Sequence, residues 1–86
     1  MEIKITLRTD APARDVVSLI LDKARNAKRL GENAVVILDD QGNIVATVVV
    51  NQIEDSLTEV TVKASKYTDV LDLLQSEVSA EVTNVE

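Results

Sequence analysis

Between Ala34 and Val50 the chain reads AVVILDDQGNIVATVVV, two runs of aliphatic and mostly β-branched residues divided by Asp39, Asp40, Gln41, Gly42 and Asn43. Val and Ile fit a pleated, buried surface, whereas Asp, Asn and Gly tolerate the positive-φ conformations that tight connections demand. The segment therefore reads as a β-hairpin, and any fold of this chain must bury two adjacent apolar strands. The five dividing residues lack the alternating oxygen ligands and terminal Glu of an EF-hand loop, so they are read as a turn and not as a calcium site.

The flanking sequence supplies neighbours for that hairpin. Ile3, Ile5 and Leu7 alternate with Lys4, Thr6 and Arg8, and Val60, Val62 and Ala64 alternate with Glu59, Thr61 and Lys63. Each is the period-two mark of a strand with one solvated side. Residues 51–56, with Ile53 their sole strongly apolar residue, read as a polar connection. Between the first strand and the hairpin, Asp10 is suited to cap a helix and Pro12 to its first turn. Ala13, Val16, Val17, Ile20, Leu21, Ala24 and Ala27 then recur at helical spacing, and Gly31 stands where a left-handed C-cap is wanted. This predicts a first helix ending at Leu30. A second is expected from about Lys66, capped by Ser65, with Tyr67, Val70, Leu71, Leu74 and Val78 as its buried stripe. Glu77 and Glu81 lie where a helix favours cations and no Gly or Pro follows, so residues 82–86 are expected to form a flexible C-terminal tail.

The resulting order, β-α-β-β-β-α, predicts one α+β domain over residues 1–81. It would be a two-layer sandwich: a mixed four-stranded sheet, a right-handed parallel crossover between its first two strands, and two helices on one face. The order of elements is similar to that of small ferredoxin-like, double-stranded-RNA-binding and ribosome-hibernation-factor domains. Their motifs are absent, so the similarity implies nothing about function.

With 86 residues, no Phe, no Trp and one Tyr, the core has to be filled by Val, Leu, Ile and Ala. A single core of this size supports a net stability of about 5 kcal/mol. The chain contains no Cys and no His, which excludes disulfides and thiolate ligands and removes the commonest zinc ligand and general base. Ser65, Lys66 and Tyr67 are the one local cluster suggestive of catalysis, and a cap, a surface charge and a core side chain already account for them. We therefore expect no catalytic, cofactor-binding or metal-binding residues. The longest apolar run is too short to span a bilayer, which points to a soluble, cytoplasmic protein without a membrane partner.

Helices cover one face of a two-layer sheet, yet the hairpin strands are apolar on both sides. Val36, Leu38, Val45, Thr47 and Val49 are expected on the uncovered face, where grouped aliphatic residues suggest a protein interface. The preferred reading is a non-enzymatic protein-binding module, forming a homodimer or docking on a larger protein. A regulator, inhibitor or assembly component, bacterial or phage-encoded, would suit this composition. The net charge of −6 is unevenly placed: residues 1–31 hold seven Lys/Arg against four Asp/Glu, and residues 32–86 hold two against eleven. Such asymmetry can steer association between copies. Lys23, Arg25, Lys28 and Arg29 give an alternative, nucleic-acid contact by the end of the first helix, although cations there also complement the helix dipole. Asp69, Asp72, Glu77, Glu81 and Glu86 give a third, an acidic nucleic-acid mimic.

Overall fold

A computed structural model describes residues 1–66 and 68–86. Among them the chain forms strands β1 (Ile3–Thr9), β2 (Ala27–Gly31), β3 (Ala34–Leu38), β4 (Ile44–Glu54), β5 (Leu57–Ala64) and β6 (Glu81–Val85), with helices α1 (Ala13–Lys23) and α2 (Val70–Glu77). The strands make one sheet in the order β2-β3-β4-β5-β1-β6, with every neighbouring pair antiparallel. The α+β class holds. The expected mixed four-stranded sheet with a parallel crossover does not, because the chain supplies two further strands, one at each edge.

The β2 edge replaces the second half of the expected first helix. α1 stops at Lys23, Ala24 is extended at φ −75° and ψ 142°, and Asn26 takes a left-handed φ of 57°. Asn is among the few residues that accept that conformation readily. Beyond Ala24 the helical stripe offers one Ala and then Leu30, which stays 63% exposed. A longer helix would bury little there, whereas pairing with the apolar β3 satisfies the backbone. Asn26 carbonyl accepts the Leu38 N–H at 3.0 Å, and Ala27, Lys28 and Arg29 stand opposite Ile37, Val36 and Val35.

The opposite edge replaces the expected flexible tail at 82–86. The N–H groups of Val78 and Ala80 both donate to the Leu74 carbonyl, and Ser79 at φ 51° turns the chain back. β6 then pairs with β1, continued by reciprocal bonds between Lys4 and Glu86. α2 also begins later than expected: Ser65 does not cap it, but donates its N–H and hydroxyl to the Val45 carbonyl. Tyr67, expected in the buried stripe, lies outside the described residues. Residues 51–56 are the tip of the β4–β5 hairpin, with strand pairing as far as Glu54 and Leu57.

The core lies between the helices and one face of the sheet. Leu7, Val35, Val48, Val50, Val60 and Val62 project from that face and are fully buried with Val16 and Ile20 of α1 and Val70 and Leu74 of α2. The N-terminus of α1 is held by side chains distant in sequence. Gln52 Oε1 accepts the Ala13 N–H at 2.7 Å, and Thr58 donates its hydroxyl to the Ala11 carbonyl at 2.6 Å. Asp10, the expected cap, is exposed and makes no capping bond.

Candidate interaction surface

The face of the sheet turned away from the helices is laid out by strand register. One row across it runs Lys28, Val36, Thr47, Lys63 and Lys4. The next, Ala34, Val49, Thr61, Thr6 and Asn84, carries no charge. A third runs Asn51, Glu59, Arg8 and Glu81. Side chains two residues apart on one strand are separated by about 7 Å. The uncharged row is thus bounded on one side by the three lysines, whose row ends in Glu86, and on the other by Glu59 and Glu81 with Arg8 between them. Lys4 and Lys63 stand directly opposite one another, a like-charge pairing that disfavours the sheet. On the acidic side, Arg8 reaches Glu59 at 3.5 Å.

Of the five residues expected on this face, the register brings Val36, Thr47 and Val49 together. Val49 is 47% exposed, Thr47 is half-buried, and Val36 is only 8% exposed between Lys28 and Thr47. Val45 is a correction. Ile37 pairs with Ala46 and Leu38 with Ile44, so Val45 is the extra residue of a β-bulge. Such a bulge turns two successive side chains to the same side, and Val45 joins Ala46 in the core cluster. Leu38 lies beyond the bulge and lines a cleft of about 290 Å³ at the end of the sheet, among Arg25, Asp39, Asp40, Lys66 and Asp69.

The four cations assigned to a single helix are dispersed. Lys23 ends α1 and pairs with Glu77 at 2.6 Å, Arg25 sits in the following turn, and Lys28 and Arg29 are successive residues on β2 with opposite orientations. Arg29 turns back to donate to the carbonyls of Gly31 and Glu32 at 3.3 and 2.9 Å. What sequence reasoning missed is that Lys28 shares a row with Lys63 and Lys4, with Val36 and Thr47 between. Each lysine was visible on the polar side of its own segment, but their common row depends on strand order.

The titratable groups with displaced pKa values are exposed and explained locally. The hydrogen bond and charge of Glu77 raise Lys23. The Asn43 N–H, with further help from the Gln41 N–H, holds the Asp39 carboxyl below its ordinary value. Those two N–H groups lie 2.8 and 2.9 Å from Asp39 Oδ1 and close the β3–β4 turn, in which Gly42 takes φ 86°. Among the described residues no group of three or more Asp or Glu is placed to hold a metal, and no helix is long and apolar enough to cross a membrane. Compared with known families, curated proteins and solved structures, the chain matches no family model, no curated protein and no solved structure.

Proposed function

We propose that this protein is a small, non-enzymatic, cytoplasmic interaction module that works by binding protein, in the first place a second copy of itself, through the open face of its sheet. A larger protein docked on the same face is the form this takes in a regulator or assembly component. The observation that carries the reading is the uncharged row Ala34, Val49, Thr61 and Thr6, flanked by rows of different charge. A two-fold axis lying along that row sets the uncharged residues of the two copies over one another, with Lys63 of one copy facing Glu59 of the other.

The test is the solution mass in about 1 M salt, where charge attractions are screened within about 3 Å and apolar contact persists. The reading predicts a species of twice the 9.4 kDa chain mass, converted to monomer by Val49→Glu with an unchanged circular dichroism spectrum. A monomer at every concentration would refute the homodimer. Nucleic-acid binding stays as a second reading, now on the row of Lys28, Lys63 and Lys4 in place of the end of α1. It predicts salt-sensitive binding of RNA or DNA that Lys63→Glu removes.

A further inference from the structure

The two edges of the sheet are built differently from its faces. β2 carries Lys28 on the open face and Arg29 on the other, with Glu32 directly after it; β6, with Glu86 continuing its pairing to Lys4, carries Glu81 and Glu86 and no base. Among the described residues Glu81 and Lys28 make no ion pair, and Arg8 beside Glu81 reaches Glu59. Every side chain of β6 is exposed, as are Lys28, Arg29 and Leu30 of β2. The sheet has six strands, all antiparallel, so its first and last strands run in opposite directions. A second copy placed beside the first, with its helices on the same side, therefore brings its β2 antiparallel to β6. The side chains also match. Lys28 shares a row with Val36, Thr47, Lys63 and Lys4, and Lys4 pairs with Glu86, so Lys28 of the second copy enters the row of Glu86; Glu81, opposite Arg8, projects from the same open face nearer the start of β6.

We infer that copies of this protein join end to end, the β2 edge of one adding to the β6 edge of the next. Charged residues ordinarily keep strand edges from pairing. Here the charges block like edges, setting Lys28 and Arg29 against their own copies or Glu81 and Glu86 against theirs, and favour the unlike pair. The partner is thus a second copy in a head-to-tail contact, held by main-chain hydrogen bonds and selected by charge. Such a contact does not close on itself after two copies, and the twist of the sheet turns each copy relative to the last, so the product is a short helical filament. This contact lies at the sheet edges and leaves the uncharged row of Ala34, Val49, Thr61 and Thr6 free.

The test is sedimentation velocity at low salt across a wide range of protein concentration. The parent is expected to grow in mass with concentration. Lys28→Glu with Arg29→Glu, and separately Glu81→Lys with Glu86→Lys, should each weaken this growth about tenfold in apparent affinity. Mixing the two variants, or combining all four substitutions in one chain, should restore it. Arg29 also holds the Gly31–Glu32 turn, so Lys28→Glu alone gives a milder edge variant in which that turn is intact. Growth that survives both edge reversals but disappears in Val49→Glu would overturn the edge contact and leave the open-face dimer standing. Equal growth in all variants, or a parent that stays monomeric, would overturn the edge contact as well.

Discussion

On the face covered by helices, Leu7, Val48, Val50, Val60 and Val62 are buried to 1% exposure or less. Neighbouring residues on the same strands, turned to the other face, are Thr6, Val49, Thr61, Thr47, Lys63 and Lys4. Alternation along β1, β4 and β5 sorts the two sets, and the helices fix which set becomes core. The covered face holds the stability of a domain that has neither Phe nor Trp. The open face gives up apolar area and accepts a like-charge pair, an arrangement understandable if that face is built for recognition.

Substitutions placed a single residue apart should separate these roles. The largest effect is expected from Val62→Asp, which buries an unpaired charge and should leave the chain unfolded, whereas Thr61→Glu on the next residue should cost about 1 kcal/mol or less of monomer stability. Urea denaturation of the two would break the comparison if they proved equal. Leu7→Ala should lose about 3 kcal/mol by the same measurement, a large part of what a domain this size possesses. Gln52→Ala removes the acceptor for the Ala13 N–H and should cost about 1 kcal/mol, read as a lower melting temperature. Smaller and of opposite sign, Lys63→Thr should raise monomer stability by a few tenths of a kcal/mol by removing the charge facing Lys4.

A pH series sharpens the part played by the β3–β4 turn. The Asp39 carboxyl titrates below its ordinary value in the folded chain, so its contribution is present above the ordinary carboxylate range and is lost as the pH falls through the lowered value. Asp39→Ala should therefore melt below the parent near neutral pH, and the gap should close in acid. A gap independent of pH would show that the ionised carboxylate is not what holds the turn.

How much of this was legible in the sequence follows from the range of the forces involved. The β3–β4 hairpin, β1, β5 and the start of α1 were readable because turn chemistry and periodicity act within a few residues. β2 was not, since Ala27–Gly31 has weak strand character and becomes a strand through pairing with β3. β6 was hidden for a similar reason: the chain turns at Ser79, where neither Gly nor Pro marks the event. On the candidate surface, Val49 and Thr47 were placed by alternation alone, while Val45 was misplaced because a bulge inverts alternation and leaves no mark of its own in the residues. The lysine row depends on a strand order that brings β1, the first strand, beside β5.

The measurement that tests the open-face dimer most directly uses the absence of cysteine from the chain. Thr61→Cys puts a single thiol in the uncharged row, and Ser18→Cys puts one on the exposed side of α1. Facing sheets pack about 10 Å apart, within reach of a short bismaleimide. In high salt the account predicts that Thr61→Cys is captured rapidly as a covalent two-chain species and that Ser18→Cys is not. Equal, slow capture of both would mean that no second copy rests on the open face, and would contradict the account at its centre.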